Sequence, residues 1–488
     1  MITQQDLLMA LTAAARRWLI AGAAACALLG TAACNDFFNV QNTNQPTLDD
    51  LLQNPTRSKL TAAATGIFAG ARAEIQGFIW RVGSMGREGI NLSGNNQPDY
   101  QEPYFGPLQG GGFGGALWGS RYANIKLVDV YQTALGRVAT TEVSATEKAG
   151  SRAVANTLKA LALLYVIETR DSLGAPVTIG LTVDAPPAPI VSQDSVYKFI
   201  IALLDSAQAD LGRAGSTPFP FPVPTGLVDF NTPATFGPFN RALAAKAQIL
   251  RATAAGCGST CYTAALTALA GSFISPLPAN YAKGAYFDFS NGANDTPNGL
   301  SEPLNGVTYY ALRSDSTDAQ LQPGGQPDQR VIDKITAALD TQRLGGILIP
   351  GELKFTIYFT SGAANPAHPI PIIRDEELIL LRAEAEWFTG AKAQALVDVD
   401  SVRIRSGKLA PTTLTIASTD NAFLDELLYN RRYSLLWEQG TRWVDARRYD
   451  RLATIPPAVT GGSVPSAMPF PDPECNARGL ANNCDPLH

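Results

Sequence analysis

The chain has 488 residues, a formal net charge of −5, 17% charged residues and only two histidines, His368 and His488. An acidic balance offers no basic surface to nucleic acid, and two imidazoles speak against a histidine-built metal centre or a His-dependent catalytic triad. Forty-three glycines and 33 prolines beside 45% hydrophobic residues describe a folded protein, long enough for a large core, with many long loops.

The N-terminus reads as an export signal. Arg16 and Arg17 precede an apolar run over residues 18–29, which is shorter than the roughly 20 residues that a membrane span needs. Small residues then lead to Thr31-Ala32-Ala33-Cys34, a sequence similar to a lipobox. On that reading residues 1–33 are a lipoprotein signal peptide and Cys34 is the acylated first mature residue. The alternative is an ordinary signal peptide cut nearby, with Cys34 a free thiol. Met1 and Met9 are both possible starts. Residues 34–55, polar and rich in Asn, Asp and Gln, form a tether to the body, 56–488.

A helix is expected over residues 57–75. Residues 77–119 read as a loop of Gly, Asn, Gln and Pro that carries Phe78, Trp80, Tyr100, Tyr104, Phe105, Phe113 and Trp118. Aromatic rings in a polar loop can stack on the C–H face of a sugar while Arg and Asn side chains bond its hydroxyls. Trp80, Arg81, Asn95, Asn96, Tyr100, Tyr104 and Phe105 are therefore the candidate ligand contacts. The other reading folds the rings inward to hold the loop down. Gly110 to Gly115 satisfies G-x-G-x-x-G, but no apolar strand precedes it, so no dinucleotide site is expected.

Helices are predicted over 117–135, 146–169, 194–211 and 239–255, the last Ala-rich enough for close approach of a partner. Residues 257–370 read as a loop-rich insertion, with a short helix opening at Asp328-Gln329-Arg330 and a short strand over 354–359. Helix returns over 371–407. Glu384 and Glu386 do not suit an acid–base pair, because residues two apart on a helix point roughly 200° apart. Ion pairs with Arg382 or the C-terminal arginines are expected instead. Cys257 and Cys261, and Cys475 and Cys484, form two local pairs. In an exported chain these read as disulfides, with a zinc site of four thiolates as the alternative. The tail, 456–488, is expected to lie over the surface.

The segment 421–452 reads as two helices with a joint. Leucines at 424, 427, 428, 435 and 436 make one apolar face; Gly440 is expected to stop the first helix and Thr441 to cap the second. Its arginines and carboxylates are expected to neutralise one another. Within it, R-R-Y-S-L-L-W-E-Q-G-T-R-W-V-D-A-R-R resembles the C-terminal signature of the SusD/RagB family through Glu438, Gly440, Arg442, Trp443, Asp445 and Arg448. Asn430 and Ser434 stand where that family often has Glu, and Gln439 is an extra residue. Arg374, Glu377, Leu380, Ala383, Glu384 and Ala385, then Val402, Arg403, Arg405 and Gly407, resemble two further family segments.

The resemblance implies a mainly α fold of tetratricopeptide-like helix pairs with long loop-rich insertions, the SusD-like fold. It also implies a non-catalytic outer-membrane lipoprotein that faces the cell surface, uses no cofactor, and delivers an oligosaccharide or similar nutrient to a TonB-dependent SusC-like β-barrel. Two rivals are a secreted glycan-active hydrolase, for which no motif marks a catalytic carboxylate pair, and a scaffold partner of the barrel that binds no glycan.

Overall fold

The computed structural model describes residues 47–93, 98–182, 184–254, 256–293, 295–342, 350–456, 463–485 and 487. Residues 1–47 and 48–488 are separate units, and the second is the body. The signal segment, Cys34, most of the tether, Asn95 and Asn96 lie outside the described residues. The body begins earlier than residue 56: helix α1, Leu48–Gln53, buries Leu51. Among the described residues no helix is long and apolar enough to cross a membrane.

The helix expected over 57–75 is α2 (Arg57–Arg72), and a second helix, α3 (Ile75–Met85), occupies the start of the segment expected as a loop. Glu74 breaks them apart in the left-handed conformation, with φ 59°. Next come strand β1 (Gly89–Asn91) and helices α4 (Pro98–Phe105), α5 (Gly119–Arg137), α6 (Ala145–Arg170), α7 (Gln193–Ala214), α8 (Pro233–Ala254) and α9 (Ser259–Ala270). From α5 to α9, each helix packs on the next. Helix α6 is the spine. Ser144 and Glu147 close a capping box at its start, and it is buried almost all round from Ala149 onward, as a helix with partners on every side must be. In α8, Ala242, Ala244, Ala245 and Ala247 let neighbours approach closely. A polar contact between α8 and α6, Asn240 Nδ2 donating to Thr157 Oγ1 at 2.8 Å, is buried and satisfied.

Residues 257–370 carry more regular structure than expected. Besides α9 they hold strands β2 (Gly284–Phe287) and β3 (Tyr309–Ala311), helices α10 (Arg313–Thr317) and α11 (Gln329–Lys334), and strands β4 (Ile335–Gln342) and β5 (Gly351–Phe355). Strands β6 (Phe359–Thr360), β7 (Ala363–Ala364) and β8 (Ile370–Arg374) follow. The order β1-β3-β5-β4 makes an antiparallel sheet with Ile90 opposite Tyr310. Most of these segments carry too few residues for an alternating pattern to emerge, and the eight-residue β4 is largely exposed and does not alternate.

The C-terminal helices are α12 (Asp375–Phe388), α13 (Lys392–Arg405), α14 (Asp420–Ser434) and α15 (Thr441–Arg448); α16 (Asp472–Ala477) lies in the tail. Helix α14 stops at Ser434, short of Gly440. The chain leaves the helix to insert Trp437, which stacks on Phe355 at 4.3 Å and is fully buried. Gly440, at φ 61°, then caps α15 in the left-handed region, and Thr441 is the first helical residue rather than the cap.

Charges between these helices are paired inside the protein. Glu384 meets Arg431 at 2.6 Å and Arg448 at 2.5 Å, and Glu438 meets Arg374 at 2.7 Å and Lys334 at 2.8 Å. Burial raises the Glu384 carboxyl, but Arg448 and Arg431 outweigh it and hold the group below its ordinary value. Glu386 faces Arg382 at 3.8 Å, away from Glu384's partners.

Candidate functional site

The segment expected to display its aromatics as a loop instead folds them inward. Trp80 lies on α3, 5% exposed, edge-on to Phe113 at 5.6 Å and tilted against Tyr309 at 6.2 Å. The Arg81 guanidinium stacks on the Trp80 ring at 4.2 Å and faces Asp99 at 3.9 Å. Burial lowers the Arg81 pKa, with Asp99 acting against it. Tyr100 and Tyr104 are buried too; the Tyr104 hydroxyl donates to the Gly89 carbonyl at 2.7 Å and Arg87 covers its ring at 4.3 Å. Large rings bury about 150–250 Å² each, so packing them inward outweighs displaying them unless a ligand is present.

Phe105 is different. It ends α4, is 36% exposed, and among the described residues is the one aromatic ring that is exposed. It stands at a cleft of about 760 Å³. One wall runs from Glu102 through Phe105 to Leu108, the other is the tail at Ser466, Asn483 and Asp485, and Arg87 and Ser172 also line it. The sequence candidates the structure gathers at this cleft are Tyr104 and Phe105; Trp80, Arg81 and Tyr100 are not among its lining residues.

The glycine-rich segment supports the first wall. The Glu102 carboxylate accepts N–H groups of Gln109 at 2.9 Å and Gly114 at 3.1 Å. A Cβ on Gly112 would collide with that carboxylate. The glycines thus let the loop wrap Glu102 and the tail.

The tail forms the second wall because the C-terminal helices hold it. Trp443 Nε1 donates to the Pro465 carbonyl at 2.7 Å, and Arg447 Nη1 to that of Ser466 at 2.9 Å. Met468 N donates to Thr169 O at 2.9 Å. The Asn483 side-chain oxygen accepts from Gly110 N at 2.8 Å. Both expected cysteine pairs, Cys257–Cys261 and Cys475–Cys484, are bonded, and the second closes this wall. The tail is therefore part of the cleft and not a simple surface cover. Its residues were missed as candidates; the Cys475 and Cys484 spacing was the available signal that this loop is held in place. Among the described residues no group of His, Cys, Asp and Glu is arranged to hold a metal ion.

The model of the SusD family matches residues 354–473. No curated protein matches the sequence. Solved structures share the fold. A SusD-like carbohydrate-binding protein from Bacteroides fragilis NCTC 9343 aligns with TM-score 0.65 and 15% identity over 88% of this chain and 99% of that one. A SusD superfamily protein from Bacteroides vulgatus ATCC 8482 aligns at 0.64 and 13%, over 88% and 99%. A laminarin-binding SusD-like protein aligns at 0.59 and 16%, over 87% and 98%. The fold is thus the mainly α SusD-like fold with tetratricopeptide-like helix pairs. The family-model match covers residues 354–473, about a quarter of the chain, and the likeness of the rest of the body to SusD-like structures is one of fold.

Proposed function

We propose that the protein is a non-catalytic, lipid-anchored receptor of the outer cell surface. It binds an oligosaccharide or similar nutrient in the cleft beside Phe105 and passes it to a TonB-dependent β-barrel transporter. The observation that carries the reading is the exposed Phe105 ring at the mouth of a large cleft, in a chain of this fold. A volume of about 760 Å³ falls within the range of roughly 300–1,000 Å³ usual for small-ligand sites. An exposed ring can take the apolar face of a sugar, while Ser172, Ser466, Asn483 and Asp485 offer donors and acceptors to its hydroxyls. Carbohydrate binding by two of the structural neighbours, by their descriptions, supports a glycan as the ligand class.

Arg81, with a side chain 21% exposed, is proposed with Asn95 and Asn96 as a separate polar contact. Trp80, Tyr100 and Tyr104 enter the proposal as buried supports. The anchor is Cys34.

Affinity electrophoresis against a polysaccharide panel tests the binding reading. Retardation by at least one glycan that Phe105→Ala removes supports it; no retardation by any glycan leaves a scaffold partner of the barrel as the better reading. Release of reducing sugars from the same panel would establish a hydrolase instead. Incorporation of labelled palmitate, lost in Cys34→Ser, tests the anchor.

A further inference from the structure

A second pocket, of about 220 Å³, opens between α14, α15 and the turn at Thr454 and Ile455. Three guanidinium groups line it: Arg432, Arg442 and Arg451. Two are committed. Arg432 pairs with Asp315 at 3.0 Å and Asp318 at 2.9 Å, and Arg451 pairs with Asp425. The remaining lining carboxylate, Asp445, is held by Arg431 at 3.1 Å and Arg448 at 3.0 Å. Arg442 is not matched in this way. One of its N–H groups goes to the Arg87 carbonyl at 3.1 Å. Among the described residues no carboxylate lies within ion-pair distance of it, and no other protein acceptor takes its side-chain N–H groups.

A partly buried guanidinium with no carboxylate in direct contact loses water without a paired counter-ion, although Asp315, Glu88 and Asp318 lie near enough to act on it. Burial, and then Arg432, lower the Arg442 pKa, against the opposing pull of Asp315, Glu88 and Asp318. The planar fork of an arginine matches two oxygens of a carboxylate or phosphate. Leu428, Ile455 and the Tyr429 ring give the pocket apolar walls, which suit one small acid-bearing ring or a bare oxyanion better than a chain of sugars.

We infer that this pocket binds a small oxyanion, free or carried on an acidic saccharide, with Arg442 as the anchoring fork. Calorimetric titration of the full-length protein tests this with inorganic phosphate, sodium glucuronate and neutral glucose. Glucuronate or phosphate binds and glucose does not. Binding of glucuronate alone assigns the site to an acidic saccharide; binding of phosphate as tightly assigns it to a free oxyanion. Arg442→Gln weakens binding by roughly tenfold to a hundredfold, the scale of a hydrogen bond to a charged group. Leu428→Trp fills the pocket, leaves every charge in place and produces a comparable loss, so the test does not depend on Arg442→Gln folding. Failure of both anions to bind the unaltered protein, or binding that survives both substitutions, overturns the inference. The pocket shares no lining residue with the Phe105 cleft, so Phe105→Ala leaves this anion binding unchanged whatever the outcome for glycans.

Discussion

Replacing Glu88 with glutamine removes a buried carboxyl that no side chain pairs among the described residues. Glu88 follows α3 and precedes β1, its side chain is fully buried, and among those residues only the Arg442 backbone N–H helps to stabilise its charged form as a donor. Burial, reinforced by Asp315, pushes its pKa from 4.5 up to about 8, against the opposing pull of Arg442 and Arg432. The raised folded value fixes the sign. Below pH 4.5 the carboxyl is protonated in both states and costs nothing extra. Between 4.5 and about 8 the unfolded chain releases the proton while the native protein keeps it, so stability falls as pH rises. The slope is about 1.4 kcal/mol per pH unit, and the whole window amounts to about 5 kcal/mol. Glutamine keeps the shape and removes the titration. Asp315, pushed up to about 6 mainly by burial, is coupled to Glu88, so the difference between the two proteins reads the loss of the Glu88 titration together with its effect on Asp315. Urea unfolding at pH 5, 6.5 and 8 reads the effect. Glu88→Gln matches the unaltered protein near pH 5 and exceeds it by about 4 kcal/mol at pH 8. A stability difference that stays constant across this range would refute the reasoning.

Gly440→Ala is expected to destabilise by about 1–3 kcal/mol, because φ is 61° and the new Cβ would lie 2.6 Å from Val82 Cγ1; a shift in urea midpoint measures it. Replacing Cys475 and Cys484 together by serine removes a short cross-link worth about 2–3 kcal/mol in the chain-entropy view. The expected result is a lower melting temperature together with weaker glycan retention, since this loop walls the cleft. Trp437→Ala empties a fully buried ring site stacked on Phe355 and costs about 3–5 kcal/mol, measured by the same unfolding assay.

The helical scaffold was legible where the sequence carried long periodic runs. Helix α6 has no Gly or Pro after Gly150 and a capping pair at its start, and its predicted span differs from the observed one by a residue at each end. The cysteine pairs were legible from spacing and compartment. Apart from the strand expected over 354–359, which overlaps β5, the strands were not, because most have five residues or fewer and their pairing depends on partners far along the chain, as Gly89 opposite Ala311 illustrates. The C-terminal joint was placed too late: the apolar run through Leu435 and Leu436 continues the helical pattern, while burying the Trp437 ring breaks the helix. Tyr104 and Phe105, which line the cleft, were among the candidates because composition marked their segment. Composition cannot say which rings turn inward, so Trp80 and Tyr100 were grouped with them. Ser466, Asn483 and Asp485 are brought to Phe105 by tail contacts through Trp443, Arg447 and the Cys475–Cys484 bond. No local feature of those residues encodes that meeting.

The most direct measurement is retardation of the unaltered protein and of Phe105→Ala in gels containing single polysaccharides, alongside their melting temperatures. About two-thirds of the Phe105 surface is covered, so its removal costs about 1–2 kcal/mol and leaves the protein folded at the assay temperature. The cleft account predicts that a retained glycan loses its hold on Phe105→Ala while the variant still melts cooperatively above that temperature. Equal retardation of both proteins would contradict it.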